Sequence, residues 1–260
     1  MTAASPSPAP ASPAPTAAPP ATAPATAPAA FRGFSPDAIQ FLADLAENND
    51  RAWFQPRKSD FERLLKTPLE AFIAALGDRL AARGVPMLAD PARAPFRIYR
   101  DTRFSKDKSP YKTNVGASFP WLGDAGSPAE PNRHGIGGYF HLQPGEIYVG
   151  GGMWHPEKPR IDAFRRAIVA DPGAAAQALE EPRFVEVFGR VGTDGEALRR
   201  VPPGFPSDHP RAEWLRLKDV VFGRRLTDAE ATSPALPDLV ADSFAAATPV
   251  LRYLARVTVV

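Results

Sequence analysis

Between Phe96 and Asn114 the chain reads FRIYRDTRFSKDKSPYKTN. Six cations (Arg97, Arg100, Arg103, Lys106, Lys108 and Lys112) stand there against two anions, Asp101 and Asp107, so the stretch carries a net charge of +4 in a chain whose total is +2. Guanidinium forks meet phosphate or carboxylate oxygens bidentately, and lysine adds a point charge, so the spacing points to an anionic small molecule as partner. If residues 97 to 103 are extended, Arg97, Tyr99, Asp101 and Arg103 share one side, and Asp101 can brace the two arginines. Asp107, Lys108 and Tyr111 complete the expected ligand shell. For proton transfer the candidates are Asp101 and His141, with the arginines set to stabilise developing negative charge. Neither a reaction nor the existence of one can be read from these residues.

Two other uses of the same residues compete with that expectation. Asp101 and Asp107 could simply pair with neighbouring cations, leaving a structural ion-pair network or a protein-interaction module. Alternatively Tyr99, Tyr139 and Tyr148 could stack the bases of a single-stranded nucleic acid while the basic stretch tracks its phosphates. The low total charge, with Asp101 and Glu146 on the same face, disfavours the nucleic-acid use.

Composition removes several chemistries. The chain has no cysteine, hence no disulfide, no thiolate nucleophile and no cysteine-ligated metal. Its histidines (His134, His141, His155 and His209) lack H-x-x-x-H or H-E-x-x-H spacing, so neither a metal nor a cofactor is expected. Gly150-Gly151-Gly152 is not followed by Gly-Lys-Ser/Thr and reads as a bulge or a close backbone approach. No serine lies in a Gly-x-Ser-x-Gly elbow.

The elements that would position these residues are patterned clearly. Ser35-Pro36-Asp37 is a helix start, and Ile39, Leu42, Leu45 and Ala46 predict an amphipathic helix over 36–47. Asn48-Asn49-Asp50 ends it, with Asn49 or Asp50 capping a second start at Trp53 and Phe54. Thr67-Pro68-Leu69-Glu70 matches a capping box, with Gly84 as the stop. Alternation then predicts strands over Phe96–Asp101, Val115–Trp121 and Lys218–Leu226, and a hairpin over Gly138–Trp154 turning at Pro144-Gly145. That hairpin opposes His141 to Tyr148 and Phe140 to Val149. It gives one apolar face (Phe140, Leu142, Ile147, Val149) and one polar, aromatic face (Tyr139, His141, Gln143, Glu146, Tyr148). Helices follow around Phe164, from Pro172, around Phe184, and from Pro237 to Arg256, the last kinked or split at Pro249. Gly123 to Arg133 reads as a loop. The succession of helices, strands and helices without βαβ alternation predicts an α+β fold: a single domain with a mostly antiparallel sheet between N-terminal and C-terminal helices.

The 260 residues divide unevenly. Met1–Ala30 contains 13 alanines and 9 prolines with no charged side chain, a composition that predicts a disordered tail and leaves 31–258 for the domain. The tail has neither the basic start nor the apolar run of a secretory signal, and no stretch reaches the roughly 18 apolar residues of a membrane span. The expectation is a cytoplasmic protein without a membrane partner.

Arg97-x-x-Arg100-Asp101-x-Arg103-Phe104-x-x-Asp107-Lys108-x-x-Tyr111 resembles the signature of a bacterial family of about this length, domain of unknown function 2461. The likeness extends from Phe34-Ser35-Pro36 through Asn48-Asn49, Trp53-Phe54 and Gly150-Gly151-Gly152 to Arg199-Arg200-Val201-Pro202, Gly204, His209-Pro210 and Leu217-Lys218. It implies that the signature is the functional candidate; it implies no activity.

Overall fold

The computed structural model describes residues 30–103, 105–123, 135–192 and 197–259. The Pro/Ala-rich stretch to residue 29, most of the loop expected after Gly123, and the side chains of Phe104 and His134 lie outside the described residues.

Ser35 caps α1 (Pro36–Glu47) by accepting from the Ala38 amide, as its Ser-Pro-Asp start dictates. Asp50 caps α2 (Arg51–Phe54), accepting from Trp53 N at 2.8 Å. The chain then stays helical through a 3-10 turn (Gln55–Arg57), α3 (Lys58–Phe61) and a π turn (Glu62–Lys66) into α4 (Thr67–Ala82). The capping box expected at Thr67 is therefore absent: Lys66 and Thr67 already have helical backbone angles. Pro68 has no N–H to return to Leu64, and the π turn, in which Thr67 N donates to Glu62 O, absorbs that lost bond inside a continuing helix. Gly84, at φ +64°, stops α4 as expected.

Four antiparallel strands follow in the order β1 (Val115–Pro120), β2 (Ile136–Gln143), β3 (Glu146–Met153), β4 (Val220–Leu226). The β2–β3 register is the expected one, His141 opposite Tyr148 and Phe140 opposite Val149, and Gly145 takes φ +73°, as the second central residue of a type II turn does. Phe96–Asp101 does not form a regular strand. Pro95 bridges Ala117 while Tyr99 bridges Tyr111, so four steps on one side face six on the other and no continuous ladder is possible. Residues 86–100 instead run along β1 as an interrupted edge, fastened by Leu88 N to Pro120 O, Ser118 N to Ala94 O and Phe96 N to Gly116 O.

Between β3 and β4 come α5 (Lys158–Ala170), α6 (Pro172–Leu179), α7 (Pro182–Phe188) and α8 (Ala212–Leu215); α9 (Asp228–Thr232) and α10 (Leu236–Val257) close the chain. Helix α10 is not split at Pro249 but runs on through it. Phe244, Ala247, Val250, Leu251 and Leu254 are all buried across that point. Their packing outweighs the roughly 3 kcal/mol of an internal proline.

These helices cover one face of the sheet, α10 lying over β2 and β3, α1 beside β2 and α7 beside β4. The apolar face expected of the hairpin meets them. Phe140 lies between Phe34 and Phe72, with ring centroids 6.0 and 4.7 Å away, and Phe119 meets Phe244 at 5.7 Å. Packing on one side only makes this a single α+β domain and leaves the opposite sheet face to do something else.

Candidate functional site

On that opposite face, cross-strand pairing sets Gly116, Ser118 and Pro120 of β1 beside His141, Tyr139 and Gly137 of β2, then Tyr148, Gly150 and Gly152 of β3, then Arg225, Gly223 and Val221 of β4. All of these but Gly116 and His141 line, together with the edge segment 88–96, an open hollow of about 930 Å³. Gly137, Gly150, Gly152 and Gly223 form its floor, Leu88, Arg93 and Phe96 one wall, and Trp154 and Arg225 the other. The floor is glycine because the strands approach too closely for anything larger. A Cβ on Gly137 would lie 2.4 Å from Phe119 O, and one on Gly152, at φ +118°, 2.1 Å from Val220 O. The triple glycine is thus the close backbone approach expected of it.

Aromatic rings line the middle of the face. Tyr139 is 5.5 Å from Tyr148 and 5.8 Å from Phe96, and His141 stacks on Tyr148 at 4.8 Å. The Tyr139 hydroxyl is 3.0 Å from His141 Nδ1, and Asn114 Nδ2 is 3.3 Å from the same nitrogen. Two donors on Nδ1 put the proton of the neutral ring on Nε2, which is buried without a hydrogen-bond partner among the described residues. Burial lowers the His141 pKa, opposed by Glu146 and Gln143. Burial also raises that of Tyr139, opposed by its hydrogen bond to Tyr148. Both side chains are therefore neutral near pH 7, and of the two only Tyr139 lines the hollow.

The basic stretch divides into two parts. In the signature stretch Arg100 and Arg103 and the two aspartates satisfy one another. Arg100 pairs with Asp107 and donates to Ser109 Oγ at 2.7 Å, Arg103 holds Asp101 through two bonds of 3.0 and 2.7 Å, and Lys108 donates to Thr102 O at 2.8 Å. Asp107 is lowered to about 2, first by hydrogen bonds from Ser109 and then by Arg100. Lys106 is exposed. Asp101 braces Arg103 alone; Arg97 reaches it only as a more distant charge. Asp101 and His141 are not brought together, since the first lies in this exposed loop and the second on β2.

Tyr111 is core rather than ligand shell. It stacks on Phe54 at 4.1 Å, its backbone N and O are both bonded to the Asn49 side chain at 3.0 Å, and the half-exposed Tyr99 rests on it. Asp50 rather than Asn49 is the cap of α2, and Asn49 fastens the loop's base.

Arg97 and Lys112 make up the second part. Lys112 Nζ is 5.1 Å from the centroid of Phe96, the residue through which this stretch reaches the hollow. Burial and then the charge of Arg97 lower the Lys112 pKa. Among the described residues neither cation is ion-paired. Across the hollow, Arg225 donates only a 3.4 Å bond to Gly145 O, whereas Arg93 is paired with Asp90.

Arg225 and Trp154 were missed in the sequence. Arg225 is an outward residue of β4, a register known only once β3 pairs with it. Trp154 is 58 % exposed and stands on a strained corner: His155 takes φ +45° and its amide donates to the buried Asp219 at 2.6 Å. Among the described residues no three His, Asp or Glu side chains gather to hold a metal, and no helix is long and apolar enough to cross a membrane.

No curated protein and no solved structure matches the chain. A family model described as conserved hypothetical protein (DUF2461) matches residues 37–253, which takes in the signature loop, all four strands and most of α10, and the chain belongs to that family.

Proposed function

We propose that this protein binds an anionic small molecule, carrying phosphate or carboxylate, in the hollow on the outer face of the sheet, with Lys112 and its neighbour Arg97 beside Phe96 on one side and Arg225 on the other. The reading rests on uncompensated charge beside a concavity. Lys112 is partly buried with Arg97 as its like-charged neighbour, and an anion placed there relieves a repulsion that nothing described in the protein cancels. The volume of about 930 Å³ lies in the range of small-molecule sites, which are mostly apolar with a few polar groups fixing the ligand. On this reading the signature stretch, whose Arg100 and Arg103 are already held by Asp107 and Asp101, supports the hollow's edge and does not itself bind.

Isothermal titration with a panel of phosphorylated and carboxylated small molecules tests it. A saturable ligand is expected whose affinity falls about tenfold in Lys112→Ala and again in Arg225→Ala, as for charge-assisted bonds worth about 1.4 kcal/mol each. Lys106→Ala should leave it unchanged. Equal affinity in all three variants would overturn the assignment. Preference for a mixed oligonucleotide, with affinity falling steeply in salt, would replace it with nucleic-acid binding.

A further inference from the structure

Resting on that reading, we infer that the ligand carries a planar aromatic ring, making it an aromatic anion of about the size of a nucleoside monophosphate. The hollow is far larger than a bare phosphate or carboxylate needs, so the charged group must belong to an organic body.

The walls state the shape of that body. Gly137 pairs with Gly152 and Gly150 with Gly223, so two adjacent cross-strand pairs without side chains leave flat peptide backbone as the floor. Tyr139 and Tyr148 rise beside it, Phe96 flanks them, and Trp154 stands at the opposite rim. Phe96 and Trp154 are 43 % and 58 % exposed, which leaves a large apolar area in water on both sides of one cavity. Leu88, Ile136 and Val221 add aliphatic surface, but the large side chains left exposed at the hollow are aromatic. Aromatic walls over a bare floor form a slot, and a ring entering it gains stacking on the tyrosines or tryptophan at little conformational cost. Arg225 lines the slot, and Lys112 with its neighbour Arg97 stands beside Phe96 at its edge, so an anionic group attached to the ring has a cation within reach on either side. Arg225 stands opposite Tyr148, so one strand pair offers a stacking surface and a charge together.

The test titrates the full chain with adenosine 5′-monophosphate, uridine 5′-monophosphate, ribose 5-phosphate, adenosine and inorganic phosphate, following tryptophan fluorescence and heat. The inference expects at least one nucleotide to bind ten or more times tighter than ribose 5-phosphate and to quench the fluorescence. Trp154→Ala and Tyr148→Ala should erase that preference while keeping ribose 5-phosphate binding, and circular dichroism should show both variants folded. Ribose 5-phosphate binding as tightly as the nucleotides would overturn the ring while leaving the anion site standing. Adenosine binding as tightly as its monophosphate would support the ring and remove the anion site. No binding by any of the five would overturn the ring inference, and the carboxylate half of the titration panel would then decide the anion site separately. A tetranucleotide bound far more tightly than either mononucleotide would overturn the small-molecule form in favour of a single-strand platform.

Discussion

Asn49 shows how one side chain can link two distant segments. Its amide oxygen accepts from Tyr111 N and its amide nitrogen donates to Tyr111 O, each at 3.0 Å, the pairing a strand neighbour would make. Tyr111 is thereby pressed onto Phe54, and the chain that enters and leaves the signature loop is fixed at Tyr99 and Tyr111. Asn49→Ala leaves both backbone groups of a buried residue without that partner, which costs about 1–3 kcal/mol. The expected result is a lower urea midpoint with an unchanged slope, together with faster amide exchange across residues 99–112. Unchanged exchange there would mean that the loop holds itself. His141 is the opposite case, a titratable group whose neighbours occupy one nitrogen, 3.0 Å from the Tyr139 hydroxyl, and bury the other.

At the scale of elements, the four strands serve two purposes on two faces. The inner residues Phe140, Leu142, Ile147 and Val149 bind the sheet to its helices, while the outward glycines let neighbouring strands close up and clear the hollow. Gly150→Ala would place a methyl 2.4 Å from Phe222 O and 3.0 Å from Gly223 Cα, both backbone, so β4 would have to move away from β3. A loss of about 1–3 kcal/mol is expected, with weakened ligand binding. Gly173, in the first turn of α6 with only a 3.4 Å neighbour, serves as the control, and Gly173→Ala should not lower the melting temperature. Equal effects at the two glycines would show that strand approach is not what selects glycine on this face. Elsewhere a buried charge ties elements together: Arg165 donates to Leu215 O and Leu217 O at 2.9 and 2.8 Å while paired with Asp162, and so carries the chain from α8 toward β4.

For the whole molecule, Tyr253 near the end of α10 supplies a pH dependence. Its hydroxyl is buried with no hydrogen-bond partner among the described residues, and burial pushes its pKa up to about 12, with Arg256 opposing and Asp171 adding to the shift. The folded chain then holds this proton over a range in which the unfolded chain, near 10, releases it. The contribution of Tyr253 to stability is therefore constant below about pH 10 and falls as the pH rises toward 12. Melting temperatures from pH 8 to 12 should show Tyr253→Phe declining less than the parent chain while equalling or exceeding it at pH 8, since phenylalanine removes an unsatisfied hydroxyl. Parallel declines would mean that Tyr253 is hydrated.

The α+β class, α1 with its serine cap, the hairpin register, the two faces of that hairpin and the glycine approach were legible in the sequence. Each depends on neighbours within a few residues, through side-chain periodicity, proline and glycine backbone preferences, or a turn that fixes which residues oppose one another. Two matching motifs mark the limit of such legibility. Thr227-x-x-Glu230 has the same pattern as Thr67-x-x-Glu70, yet only the former is a capping box, because β4 delivers Thr227 in an extended conformation whereas Thr67 arrives inside a helix that began at Arg51. The charge of the 96–114 stretch was equally plain, but its division into ion-paired arginines and two unpaired cations beside a hollow was not. Which carboxylate lies near which guanidinium, and which residue of β4 stands beside Tyr148, are distances between segments up to 80 residues apart. Local chemistry fixes what a side chain can do; only packing decides what it meets.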